Sequence, residues 1–315
     1  MASSSPASHT DTAVAPALPV VTPLSPLTGT VAHHFTVDVE EYFHVSAMEP
    51  HIRVAEWDGM ESRLEPSMDR LLGLLDAHNA KGTFFVLGWI ARKYPHIVRA
   101  IADGGHEVAS HGTMHQRVTM LTPRQFRDDI REARQLLEDL AGESVIGYRA
   151  PSFSITADRL WALDILVEEG YQYDSSLFPI RRAGYGLRNG LRDPYWISTA
   201  AGPLLEVPPT TLRRAGQTLP AAGGAYFRLF PLGIFRRAFQ ETGERGHPGT
   251  FYIHPWEIDP DQPRVAGIPL TTRIRHYGGL GRTFSRMERM FFEFRFTSIR
   301  ENYGSVLTLS ARPER

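Results

Sequence analysis

From residue 33 onward, short apolar runs alternate with longer stretches of helical periodicity, and this alternation restricts the possible folds more than any other feature of the chain. The run HHFTVDVEEYF begins as an apolar strand at His33 and ends in acidic residues. Pro66 to Asn79 places Met68, Leu71, Leu72 and Leu75 on one helical face. Gly82 to Leu87 reads as a buried strand, Trp89 to Ala102 as a second helix, and Glu107 to Ser110 as a third strand. Thr122, Pro123 and Gln125 form a helix-start pattern: a capping hydroxyl, proline at the first helical position and an amide at the third. That helix is predicted to run to about Leu140 and stop near Gly142. Val145 to Arg149 is the next expected strand. Thr156 is expected to cap a helix through Glu169, ended by Gly170, and Tyr171 to Ser175 is another strand. A βαβα order implies an α/β fold with parallel strands and outer helices, closed as a barrel or open as a sheet. Chemistry in such folds gathers at the C-terminal ends of the strands. The polar clusters fall there: Asp38 to Glu41, His111 to His115, Arg149 to Phe153, and His254 to Glu257.

Residues 180 to 250 break the rhythm with Arg, Gly and Pro. Strands are expected near Tyr195 to Ser198, Leu204 to Val207 and Phe251 to His254, a helix over Arg282 to Phe294, and a final strand over Phe296 to Arg300. Residues 1–30, dominated by Ala, Ser, Pro and Thr, read as a disordered leader. They lack the basic and apolar regions of a secretory signal, so a cytoplasmic location is expected, with membrane-peripheral or periplasmic placement left open. No run approaches the roughly 18 apolar residues of a membrane span. The formal net charge of -1 gives no global field for nucleic acid, and no nucleic-acid motif is present. The 315 residues hold no cysteine, which excludes disulfides, thiolate metal sites and a cysteine nucleophile. Any metal must therefore sit on His, Asp or Glu.

Two histidines four apart, His111 and His115, can turn the same way on a tight loop and share an ion such as Zn²⁺, or they can be two solvent-facing loop residues. Alternation along a strand puts Asp38 and Glu40 on one face and Glu41 on the other. One carboxylate could complete a two-histidine, one-carboxylate site and the other could take a proton from water; the alternative is a plain acidic loop. Arg149, in the segment Arg149-Ala-Pro-Ser-Phe153, offers a rigid fork that could hold Asp38, or a surface ion pair. His254, after the apolar run FYI, is either a general acid or a structural histidine, and Trp256 could shape a sugar pocket. In GGAYFR, Tyr226 and Arg228 could contact sugar hydroxyls; the alternative is a glycine turn before a buried aromatic.

Taken together, TVDVEE, SHGTMH, YRAPSF, LLEVPP and FYIHPWEID resemble, in the same order, the five motifs of the polysaccharide deacetylase family, also called carbohydrate esterase family 4 or the nodulation-type deacetylases. A narrower likeness is to deacetylases of exopolysaccharide loci that accompany the exosortase system. It is carried by the DVE-x-YF opening, the GG-x-YFR segment, the FYIHPWEIDPDQPR run, and RHY followed by RMERMFFEF. The resemblance implies a distorted (β/α) barrel over residues 31–315, with a subfamily-specific C-terminal extension from about residue 180. It implies Asp38 as general base, Glu40, His111 and His115 as metal ligands, and Arg149 as the residue orienting Asp38. His254 would be the general acid and Glu206 its acidic partner. The amide near Ser152 would help form an oxyanion hole, with Ser152 and Phe153 at the substrate. The common first motif has two adjacent aspartates, whereas Val39 separates Asp38 from Glu40 here, so Glu41 is a second candidate ligand.

The implied cofactor is a divalent metal, Zn²⁺ first, with Co²⁺ or Ni²⁺ as alternatives. The implied partner is an N-acetylated oligo- or polysaccharide whose N-acetylhexosamine units lose acetate. Two rival readings are an amidohydrolase for a small non-sugar amide and a non-catalytic carbohydrate-binding relative. The oligomeric state is not legible in the sequence.

Overall fold

The structure is a computed structural model that describes residues 19–180, 185–187 and 190–310. Its strands, in chain order, are β1 (Val20–Pro23), β2 (His33–Val39), β3 (Thr83–Val86), β4 (Glu107–Ser110), β5 (Gly147–Tyr148), β6 (Tyr173–Asp174), β7 (Tyr195–Thr199), β8 (Gly202–Glu206), β9 (Thr211–Arg214), β10 (Gln217–Pro220), β11 (Thr250–Ile253) and β12 (Phe296–Thr297). The helices are α1 (Leu64–Ala77), α2 (Gly88–Lys93), α3 (Pro95–Asp103), α4 (Pro123–Ala141), α5 (Trp161–Glu168), α6 (Gly224–Leu229), α7 (Leu232–Glu244), α8 (Leu270–Tyr277), α9 (Leu280–Glu293) and α10 (Ile299–Ser310).

One sheet runs in the order β1-β7-β8-β6-β5-β4-β3-β2-β11, with β12 joined to the start of β2. From β8 to β11 every pairing is parallel; β7 and β1 add antiparallel strands at one end. All seven residues of β2 are buried, as expected of a parallel strand covered on both faces. The far edge of β11 meets no strand of the main sheet among the described residues. Backbone instead covers it: the Thr210 amide donates to the Thr250 carbonyl at 3.2 Å, and the Tyr252 amide to the Ala222 carbonyl at 3.0 Å. The expected barrel is thus distorted at one seam, where loop residues stand in for a strand.

α4 shows how local signals and packing agree. Thr122 caps it through the Gln125 amide, the Gln125 side chain returns to the Thr122 amide, and Gly142 ends it in the left-handed conformation at φ 70°. Phe126, Ile130, Ala133 and Leu137, spaced by three and four, form its buried face. Each large side chain there contributes about 1.5–3 kcal/mol by leaving water.

Several expected elements differ. The helix expected over Trp89 to Ala102 is two, because Pro95 cannot donate a hydrogen bond and forces Tyr94 out of helical geometry, to φ -131° and ψ 59°. The strands expected over residues 145–149 and 171–175 are only two residues long. The helix expected from Thr156 begins at Trp161. The last expected strand is confined to Phe296–Thr297, after which α10 begins. β1 lies inside the segment expected to be a disordered leader; Val20 to Pro23 pair with Tyr195 to Ser198, a partner too distant in sequence for local composition to reveal. Residues 1–18 of that segment lie outside the described residues.

Candidate active site at the strand ends

Four parallel strands deliver the site. β2 carries Asp38 as its last residue but one and is followed by Glu40, β4 is followed by His111, β5 by Arg149, and β11 by His254. Period-two alternation sends Asp38 and Glu40 to one face. Their carboxylates lie 3.8 Å and 3.5 Å from His254 Nε2. Glu41 faces away, where it accepts hydrogen bonds from the Ser62 hydroxyl and the Arg63 amide. Asp38, Glu40, His111 and His115 are all buried, whereas His254 keeps 18% of its side chain exposed, so the site opens to solvent beside that imidazole.

Arg149 is fully buried and fixed from three sides. Nη1 donates to Asp38 Oδ1 and to Thr36 Oγ1, both at 2.7 Å, and Nη2 donates to Ser175 Oγ at 2.8 Å. Nε donates to the Ser175 carbonyl at 3.2 Å. The structure places Arg149 against Asp38; Thr36 and Ser175, which hold Arg149 in turn, carry no local sequence signal.

The loop after β4 is shaped by backbone and by α4. Gly112 has φ 75°, and His115 is left-handed at φ 53° although it is not glycine, a strained conformation of the kind that collects at functional sites. The Gly88 and Trp89 amides at the start of α2 donate to the Gly112 and Thr113 carbonyls at 2.9 Å. Asp129 on α4 accepts from the Thr113 amide at 3.1 Å. His111 Nδ1 lies 2.8 Å from the Arg149 carbonyl and must donate to it. Burial pushes the His111 imidazole down to about 4, so the ring is neutral and its Nε2 carries a free lone pair.

Glu40, His111 and His115 each offer one donor atom, all within 4.8 Å of one another. Glu40 Oε2 faces His115 Nε2 at 2.8 Å yet receives no hydrogen bond, and His115 Nδ1 is likewise buried without one. Burial by itself would raise the Glu40 carboxyl, but His115, His254 and His111 outweigh it and hold the group well below the ordinary carboxylate range. An ionised carboxylate with an orphaned oxygen beside two imidazoles fits a divalent cation of the zinc class.

His254 corrects one expectation. Its Nδ1 is bonded to Glu257 Oε1 at 2.6 Å, so its acidic partner is Glu257 and not Glu206. Burial would lower the His254 imidazole, but Glu40, Glu257 and Asp38 raise it to about 9. Glu206 sits on β8 in register with Asp174 on β6 and accepts from the Leu177 amide at 3.0 Å. Burial, reinforced by Asp174, pushes its carboxyl well up, as two carboxyl groups sharing a dry space require. Glu257 had a local signal: HPWE places proline at the first position of a helical turn and a carboxylate three residues after the cap, and the His254 amide donates to Glu257 Oε1 at 3.3 Å.

Arg228 corrects another. It is buried and paired with Glu257 Oε2 at 2.6 Å, so it cannot touch sugar hydroxyls. GGAYFR opens α6, with Gly223 at its cap and the aromatic Phe227 buried on it. A Cβ at Gly223 would sit 1.7 Å from the Tyr252 carbonyl oxygen, so only glycine lets the helix pass this close to β11. Tyr226 pairs its hydroxyl with that of Tyr185 at 3.1 Å. Trp256 is buried, stacks between His254 and His276 at centroid distances of 5.3 Å and 4.3 Å, and directs Nε1 to Glu40 Oε1 at 3.3 Å. Phe153 is buried against Phe178 and Tyr252, and both Ser152 and Phe153 have positive φ. Ser152 Oγ lies 2.8 Å from Ser46 Oγ.

Residues 57–173 match the polysaccharide deacetylase family. The chain carries a polysaccharide deacetylase domain. Residues 175–304 match a domain of unknown function, DUF3473, so the deacetylase match ends before His254. The chain is 36% identical over 110 residues to a peptidoglycan deacetylase-like protein of Gibberella zeae, covering 34% of this chain and 32% of that protein. It is 31% identical over 128 residues to a peptidoglycan deacetylase of Helicobacter pylori, covering 40% and 42%. A peptidoglycan-N-acetylglucosamine deacetylase of Bacillus cereus is 33% identical over 108 residues, covering 34% and 38%. The chain therefore spans less than half the length of these curated relatives. Its fold is shared with a chain from Mycobacterium smegmatis assigned to the polysaccharide deacetylases (TM-score 0.60, 20% identity, 94% of this chain and 100% of that one). An allantoinase is also similar in fold (TM-score 0.55, 19% identity, 90% and 92%). The matched deacetylase segment holds His111, His115 and Arg149, Asp38 and Glu40 precede it, and His254 lies in the second matched segment.

Proposed function

We propose that the protein is a metal-dependent hydrolase that removes N-acetyl groups from N-acetylhexosamine units of a poly- or oligosaccharide, in the service of exopolysaccharide biosynthesis. The observation that carries this reading is the meeting of Asp38, Glu40 and His254 within 3.8 Å at the strand ends, beside His111 and His115. The relatives' names point the same way, to N-acetylated glycans.

Glu40, His111 and His115 would hold the divalent cation, Zn²⁺ first and Co²⁺ or Ni²⁺ as alternatives. Such an ion supplies Lewis-acid polarisation of the acetyl carbonyl and of the attacking water. Asp38, with Oδ1 tied to Arg149 and Oδ2 toward His254, takes the water proton. The Phe153 amide is given to the Ala150 carbonyl at 3.0 Å, so the amide assigned to the developing oxyanion is that of Ser152. His254, protonated at neutral pH because Glu40, Glu257 and Asp38 outweigh burial, donates from Nε2 to the leaving nitrogen. The C–N bond breaks, acetate leaves, and the sugar amine departs with that proton.

Acetate release from defined acetylated chito- and peptidoglycan oligomers, with small cyclic amides in parallel and added Zn²⁺, Co²⁺ or Ni²⁺, tests the reading. Asp38→Asn and His254→Ala are expected to abolish turnover while metal content is retained. Near-normal activity in either variant would refute the assignment, and turnover of cyclic amides alone would favour the small-amide reading.

A further inference from the structure

Arg228 lies on α6 and is 1% exposed. Its guanidinium works in two directions. Nε donates to Glu257 Oε2 at 2.6 Å. Nη1 donates to the carbonyls of His276 at 2.9 Å and Gly278 at 2.5 Å, and Nη2 to that of Arg275 at 2.7 Å. These three carbonyls lie at the C-terminal end of α8, where a helix leaves its acceptors unsatisfied. The other Glu257 oxygen is bonded to His254 Nδ1 at 2.6 Å. A continuous line of hydrogen bonds thus runs from the end of α8 through Arg228 and Glu257 to His254. Trp256 is held alongside it, with the guanidinium 5.5 Å from its ring and His254 and His276 stacked on its two sides.

We propose that Arg228 is a positioning residue for the general acid: it pins the Glu257 carboxylate so that His254 keeps Nδ1–H on Glu257 and turns Nε2 toward the substrate. The proposal rests on the deacetylase reading. It adds that residues 175–304 supply, besides the acid, the buried frame that orients it. Arginine suits the place because one rigid planar fork reaches a carboxylate on one side and several carbonyls on the other; a lysine ammonium is a point donor and cannot span both. Removing the guanidinium would leave buried Glu257 and the three carbonyls at the end of α8, that of His276 buried, short of donors.

The test compares Arg228→Met, Arg228→Lys, Glu257→Gln and the Arg228→Met/Glu257→Gln double variant on two substrates. One is an acetylated chitooligosaccharide, whose amine must be protonated to leave. The other is p-nitrophenyl acetate, whose phenolate leaves without help. Arg228→Met is expected to lower kcat on the glycan about 10- to 100-fold with KM little changed. Arg228→Lys should restore part of that loss, the ester should be affected much less, and the double variant should be no slower than Glu257→Gln alone. Equal losses on both substrates, or losses that multiply in the double variant, would overturn the proposal. If Arg228→Met does not fold, the same amide-to-ester comparison is read in Arg228→Lys. A readout free of activity is the low-field imidazole N–H proton of His254 by NMR, assigned by its disappearance in His254→Ala. It should be displaced or lost in the Arg228 variants while the rest of the spectrum is kept. If it is unchanged the proposal fails, whereas absence of acetate release by the unmodified protein counts against the deacetylase reading alone.

Discussion

Successive side chains along an extended strand leave on opposite faces, and the two glutamates after β2 show what that means for a metal site. Glu40 turns in beside His111 and His115; Glu41 turns out and is held by Ser62 and the Arg63 amide. The extra methylene of glutamate relative to aspartate is accommodated, since Glu40 Oε2 still comes within 2.8 Å of His115 Nε2. Glu40→Gln is therefore expected to lower the metal content of the purified protein by at least about tenfold, because it removes the one anionic ligand. Glu41→Gln is expected to leave it unchanged. Elemental analysis of both variants after equal zinc loading checks this, and metal loss in Glu41→Gln with retention in Glu40→Gln would reverse the assignment.

α4 does two things at once. Its buried face of Phe126, Ile130, Ala133 and Leu137 fixes it against the sheet, and Asp129, on the same helix, holds the loop of His111 and His115 through Thr113. Its start depends on an exposed reciprocal cap. Thr122→Ala removes the acceptor for the Gln125 amide and is expected to cost about 1 kcal/mol. The expected reading is a lower urea midpoint at an unchanged slope; an unchanged midpoint would show that the cap contributes nothing.

Across the whole molecule, buried imidazoles set how stability depends on pH. Burial lowers His33 to about 4, and burial lowers His276 to about 3; for His34, burial with help from His33 and Arg149 gives about 3. The unfolded chain takes protons on these rings near 6.5 and the folded chain only near 4 to 3. Between those values the unfolded state binds more protons, so stability falls as pH falls, each ring adding at most about 1.4 kcal/mol per pH unit. His254 acts in the opposite sense. Its folded value of about 9 exceeds the unfolded one, so its contribution is full below about 6.5 and is lost as pH rises through 9. Urea unfolding of the metal-free protein at pH 5, 7 and 9.5 is expected to give its highest midpoint at pH 7. A midpoint at pH 5 equal to that at pH 7 would contradict the burial of these histidines.

The sequence by itself determined what local chemistry can encode. The α/β alternation, the cap and stop of α4, and the shared face of Asp38 and Glu40 all follow from periods of 3.6 and 2 and from capping residues, whose partners lie within a few positions. The place of His111, His115, Arg149 and His254 at strand ends follows from the same periods. Only the tertiary structure decided what depends on distant partners. β1 needed β7 to become a strand. The seam beside β11 needed Gly223 to bring backbone against Tyr252. Glu206 turned to Asp174 because register between β6 and β8 placed them together, and Arg228 turned inward because the end of α8 and Glu257 offered it acceptors. A buried charge goes where its partners are, and those partners stand 29 and 47 residues away along the chain.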